Sequence, residues 1–173
     1  MFLELIAVIF AGIAVAGVVM LVNAASGGRL PRWLAPVAAG LAMIGVTVAS
    51  EYGWYSRTVA GLPAGLVVAE TVERRSLYRP WTYVFPYTER FVALDRTTRR
   101  SHPAQPDQHL VETYFFGRWA PIGQLSTLMD CAGWQRAVIS GETGFLPDGD
   151  TSGFDWVSPP ADDGLLTTLC REG

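Results

Sequence analysis

The sequence predicts a membrane α-helical hairpin of two transmembrane helices followed by an all-β, β-sandwich-like extracytoplasmic domain with a short C-terminal helix. Three observations carry this: two long apolar runs in the first third, a change to period-two patterning after residue 65, and two cysteines, both in the later part. Residues 2–22, FLELIAVIFAGIAVAGVVMLV, hold one charge, at Glu4, and residues 34–50, LAPVAAGLAMIGVTVAS, hold none. A hydrocarbon core about 30 Å thick takes roughly 20 apolar residues at 1.5 Å each, so both runs read as spanning helices. The second needs Trp33 and the residues to Tyr52 to reach full length. Between the runs, NAASGGRLPRW contains Gly27, Gly28 and Pro31, which break a helix and close a tight antiparallel turn. The chain thus divides into a hairpin at 1–52, a linker at 53–65 and a β-domain at 66–173.

Composition supports the division. Half of the 173 residues are hydrophobic and the mean hydropathy is +0.24, too apolar for an ordinary soluble domain, with the excess in the first third. About 120 residues follow the hairpin, enough for one small core and too few for two. With Glu4, Arg29 and Arg32 set aside, the remaining charge is −4, which excludes the basic balance of a nucleic-acid binder. Every basic residue is arginine.

Arg29 and Arg32 flank Pro31 in the short loop, and the segment before the first run has no basic side chain. Positive-inside then places the loop in the cytoplasm, with both termini and the β-domain in the periplasm of a bacterial inner-membrane, two-pass protein. Cys131 and Cys170, both in the outer part, fit one structural disulfide in an oxidising compartment. The first run lacks an n-region charge and a small-residue cleavage site, so it reads as an anchor and not as a leader.

Small residues recur in both helices. Gly12 with Ala16, Ala35 with Ala39, and Ala38 with Ala42 are small-xxx-small pairs, and Gly45 adds another small position, so backbones can approach closely against each other or a partner helix. Trp33, Tyr52, Trp54 and Tyr55 lie at the two ends of the second helix as an interfacial aromatic belt. Glu4, near an end, is placed to snorkel to water.

Beyond residue 65, the segments 66–72, 81–85, 89–96, 109–119, 124–130 and 134–140 are short, rich in β-branched and aromatic residues, and read as strands. Their number and spacing argue a sandwich or small barrel. Alternation is clearest at 109–119, with Val111, Thr113 and Phe115 on one side and Leu110, Glu112, Tyr114 and Phe116 on the other. Residues 97–108, polar and proline-bearing, read as an exposed loop. Asp162 can cap a short helix carrying Leu165, Leu166 and Leu169 to Cys170.

The run LMDCAGWQRA, then FDWV, a Pro-Pro and Asp-rich turn, and LLTTLC resembles the D-C…W…L-x-x-x-C ending of small secreted or periplasmic β-domains, surface-adhesin-like families among them. EYGWYSRTV, YRPWTYVFP and YFFGRW resemble stretches of uncharacterised α-proteobacterial two-helix inner-membrane proteins with a periplasmic β-sandwich domain. Some proteins of that architecture accompany photosynthetic core complexes as accessory subunits. The resemblance covers most of the chain; its motifs are structural and imply no catalytic residues.

Chemistry-bearing constellations are sparse. No G-x-S-x-G occurs, and the two histidines, His102 and His109, lie in or beside one polar stretch. His102, Asp107 and His109 are a conceivable divalent-metal set, although solvated loop residues are the simpler reading. Asp148, Asp150, Ser152 and Gly153 match positions 1, 3, 5 and 6 of a calcium loop and Asp155 could add an oxygen, but position 12 is Pro159 where a bidentate Glu belongs, so a plain turn is preferred. Arg74, Arg75 and Arg79, and again Arg96, Arg99 and Arg100, are basic clusters suited to lipid phosphates, an acidic partner or surface salt bridges. Trp81, Trp119, Trp134 and Trp156 read as core fillers, with any exposed one marking an interface. No haem, phosphate or pigment motif appears, so no cofactor is assigned. The sequence thus points away from an enzyme and toward an accessory subunit of an energy-transducing inner-membrane complex, photosynthetic or respiratory. Its partners would be other membrane subunits and the lipid bilayer. The alternative is a free-standing, membrane-anchored binding module.

Overall fold

A computed structural model describes residues 2–77, 79–139, 151 and 153–171. The chain forms two units, Met1–Arg57 and Thr58–Gly173.

The first unit holds α1 (Phe2–Ala25) and α2 (Leu34–Ala60) up to Arg57, both helices long and apolar enough to cross a membrane. Gly27 and Gly28 end α1 with φ of 69° and 77°, a backbone hand that favours glycine. The Gly28 amide donates to the Asn23 carbonyl at 2.8 Å, and the Asn23 side chain accepts from the Leu30 amide at 2.9 Å, which fixes the turn. Between the helices Gly12 is buried under Met43, whose side chain occupies the space a Cβ would need. Glu4 does not simply reach for water: its carboxylate accepts from the Ser50 hydroxyl at 2.8 Å, tying the start of α1 to α2. At 27 residues, α2 is about 40 Å long and continues past the expected end near Tyr52 until Gly61 and Pro63 stop it. The linker expected at 53–65 is therefore reduced to 61–65.

The second unit is built on one antiparallel sheet in the order β1 (Leu66–Arg74), β2 (Tyr87–His102), β3 (Gln105–Gly117), β4 (Ala120–Asp130) and β5 (Gln135–Ile139). Two expectations are corrected. Within 97–108 only 103–104 form a turn; the rest, largely exposed as expected, are the inner ends of β2 and β3, paired through Arg100 with Leu110 and Ser101 with His109, because ladder partners for the backbone outweigh polar composition. The stretch 81–85 is not a strand. Pro80 opens a 3-10 turn over Pro80–Tyr83, and Pro86 lacks the amide a ladder would use.

One sheet face is capped by α3 (Gly164–Cys170), whose Leu165, Leu166 and Leu169 bury against Leu94, Val111 and Met129. Each such side chain contributes about 1.5–3 kcal/mol on burial. The cap residue is Asp163, one later than expected, and its carboxylate accepts from the Leu166 amide at 3.1 Å. On the opposite face Leu110, Leu128 and Ile139 pack with Phe154 and Trp156. Val157 bridges Arg136, so the segment lies along the outer edge of β5 and blunts it. A sandwich would bring a second sheet; among the described residues there is one, faced by a helix and by an irregular segment. Strand periodicity alone does not distinguish these covers.

Candidate functional site

Sheet register decides which side chains share a face, because directly paired residues project together. Val92 pairs with Phe115, Arg90 with Val72, Thr113 with Leu125, and Thr127 with Val138, all on the α3 face. The short α3 covers only part of that face. Beside it lies a groove of about 300 Å³ lined by Glu70, Val92, Phe115, Thr127, Val138 and Val157, with Arg136 and Leu165 completing it. Val72, Phe115, Leu125, Val138 and Val157 remain exposed there. Arg136 is held by Asp163, Nη1 to Oδ2 at 3.1 Å, so the groove's cation is already engaged.

A second apolar surface sits at one end of the sheet. The β1–β2 connection presents Leu77, Trp81, Tyr83, Val84 and Phe85 to solvent, with Val84 72% and Phe85 67% exposed. The β3–β4 turn comes to the same end, since Arg90 pairs with Gly117 and the Arg118 amide donates to the Glu89 carbonyl at 3.0 Å. It adds exposed Trp119 and Ile122, with the Arg118 guanidinium 4.8 Å from the Trp119 ring centre. This end is preorganised. The buried Thr82 hydroxyl accepts from the Ser76 amide at 2.9 Å and donates to the Arg79 carbonyl at 2.7 Å, and the Phe85 amide donates to the Trp81 carbonyl at 2.9 Å. Arg74 is ion-paired with Glu89. The sequence reading missed Leu77, Val84, Phe85 and Ile122 as surface residues. The flanking prolines at 80 and 86 were the available signal, because together they exclude 81–85 from a sheet interior.

The four tryptophans of the second unit divide. Trp81 and Trp119 are exposed at this end, whereas Trp134 and Trp156 are half-buried and donate their indole N–H to the carbonyls of Pro160 at 3.1 Å and Thr151 at 3.0 Å. The basic clusters divide too. Arg96 donates to the Thr168 carbonyl at 2.9 Å, locking α3, and Arg99 contacts His109 Nε2 at 2.9 Å. Because a guanidinium only donates, His109 Nε2 accepts and its proton sits on Nδ1, which is buried without a hydrogen-bond partner among the described residues. Burial pushes the His109 pKa below its ordinary value, Arg99 pushes it the same way, and Asp107 opposes them. The structure does not bring His102, Asp107 and His109 together as a set, since no metal-holding group of three such residues occurs among the described residues. Of the calcium candidates, Asp155 is exposed and Gly153 lies in a turn, while Asp148, Asp150 and Ser152 lie outside the described residues.

Cys131 and Cys170 form a disulfide, Cα to Cα 5.6 Å, from the end of β4 to the end of α3. In the hairpin, Ala16, Ala35, Ala38, Ala39 and Ala42 are half-buried, while Gly45, like Gly17 and Gly40, meets nothing within 4 Å of where a Cβ would stand. Trp33 is exposed; Tyr52, Trp54 and Tyr55 are half-buried, one to two turns before α2 ends.

Compared with known protein families, curated proteins and solved structures, the chain matches none.

Proposed function

We propose that this protein is a non-catalytic accessory subunit of a larger bacterial inner-membrane complex of the energy-transducing kind, respiratory or photosynthetic. The photosynthetic host is suggested only by the sequence resemblance. The hairpin packs against partner helices, and the β-domain docks in the periplasm. The observation that carries the reading is the incompletely covered sheet face, where Val72, Phe115, Leu125, Val138 and Val157 stay exposed around the groove beside α3. A contiguous apolar patch with a polar rim is the usual mark of a protein-docking surface. The open positions at Gly17, Gly40 and Gly45 agree with it, since such gaps admit a third helix closely. The paired arginines of the short loop and the disulfide support a periplasmic β-domain.

Purification of the tagged full chain in mild detergent tests this. Stoichiometric membrane partners should co-purify, and Phe115→Asp with Val138→Asp should release them while the disulfide and secondary structure persist. A chain that runs alone ends the idea. The groove also favours a second reading, a free-standing binding module for a small, largely apolar ligand. Exchanging the hairpin for an unrelated two-helix anchor separates the two, because function survives the exchange only for the module.

A further inference from the structure

The exposed end of the sheet is chemically unlike the rest of its unit. Residues 58–173 contain ten arginines and fourteen carboxylates, a net charge of −4. Five of those arginines, Arg74, Arg75, Arg79, Arg90 and Arg118, lie in or next to the β1–β2 connection and the β3–β4 turn, with only Glu73 and Glu89 to oppose them. The local charge is thus +3 in an acidic unit. Amid these arginines, Trp81, Tyr83, Val84, Phe85, Trp119 and Ile122 face solvent on a backbone fixed by Thr82. Aromatic rings and arginines side by side match the boundary between acyl chains and phosphate headgroups, where an indole or phenol has one apolar and one wet side. The chain carries two helices able to span a bilayer, so an exposed apolar loop on it meets lipid at high effective concentration.

We propose that this end of the β-domain is a lipid-contacting surface, inserting Val84, Phe85 and the Trp81 and Trp119 rings at the headgroup boundary of the anchoring bilayer while the exposed Arg75 and Arg90 meet anionic lipid phosphates. The nine residues of β1 put this end about 30 Å from the chain's entry into the domain.

The test uses the full chain, disulfide intact, in vesicles of phosphatidylcholine alone or with 30% phosphatidylglycerol, which hold no partner protein. A nitroxide is attached at Val84→Cys and, as a control on the exposed sheet face, at Val138→Cys, and its collisions with oxygen and with a water-soluble nickel chelate are compared. At position 84 oxygen should dominate, more strongly in the anionic vesicles. At position 138 the chelate should dominate. Arg75→Glu with Arg90→Glu should return the label at 84 severalfold toward the aqueous ratio in anionic vesicles. A label at 84 as open to the chelate as that at 138, or one indifferent to charge reversal, overturns the proposal. Protection in native membranes but not in these vesicles assigns the surface to a protein partner instead. Because no partner is present, failure here leaves the subunit reading untouched, and loss of co-purifying partners leaves this one untouched.

Discussion

Replacing Cys131 and Cys170 together with serine isolates what the crosslink adds to the second unit. The bond closes a loop across 39 residues of sequence separation. Restricting that loop in the unfolded chain stabilises the fold by about 4 kcal/mol on the chain-entropy model. For the unit of residues 58–173, unfolding entropy of about 2.1 cal/mol/K per residue turns this into a fall in Tm of about 16 °C. The variant should still fold, because Leu165, Leu166 and Leu169 keep α3 on the sheet and Arg96 still holds the Thr168 carbonyl. The assay is near-ultraviolet circular dichroism during heating in detergent. Its signal includes Trp134, which packs against the α3 core and has Arg171 4.9 Å over its ring, and it does not follow the helical signal of α1 and α2. Reducing the unmodified protein should reproduce the shift. A fall below about 4 °C, or about 1 kcal/mol, would refute the reasoning, since the loop would then add nothing beyond what α3 packing already imposes.

Leu166→Ala, at a site with no exposed surface, should cost about 3–5 kcal/mol in urea unfolding, with the midpoint moving at constant slope. Gly164→Ala sets a methyl against the Ala69 carbonyl oxygen where α3 meets β1, and the overpacking should cost about 1–3 kcal/mol, while Gly153→Ala, in open space, should leave unfolding unchanged. His109 has a folded pKa below its unfolded value near 6.5, so the unfolded chain takes up a proton first as pH falls. The histidine therefore contributes nothing to pH dependence well above 6.5 and lowers stability as pH drops through that value toward the folded pKa. His109→Gln, whose amide oxygen can still accept from Arg99, should flatten the stability profile there, and an unchanged profile rejects this account.

Elements whose signal is local were legible in the sequence. The two long apolar helices follow from run length, β3 and β4 from alternation, and α3 from three leucines before Cys170, with Asp163 in place of Asp162 as cap. What was illegible depended on partners. The polar stretch 97–108 is strand because His109 and Leu110 face Ser101 and Arg100, a fact of register that composition does not carry. The apolar stretch 81–85 shows the converse, since strand-like residues between two prolines became the exposed tip of a turn. The exposed face beside α3 was hidden for a third reason. Phe115 and Val138 alternate like core residues, and only the shortness of α3, seven residues against a sheet with strands of up to sixteen, leaves them open.

The order of the sheet is the order of the chain, each strand hydrogen-bonded to the one made before it. No strand has to wait for a distant partner, so as the polypeptide is delivered in chain order it can close β1 on β2, then β3, β4 and β5, each step over a short loop. Among the described residues, α3 breaks this locality furthest. From residues 164–170, α3 reaches back to Ala69 and Leu94, across nearly the whole unit, and only then are Cys131 and Cys170 neighbours. Oxidation of the pair is thus a clock for maturation. A trapped mixed disulfide at Cys131 would mark molecules with a finished sheet still lacking its lid, and the interval before it resolves would time the docking of α3, the longest-range step described above.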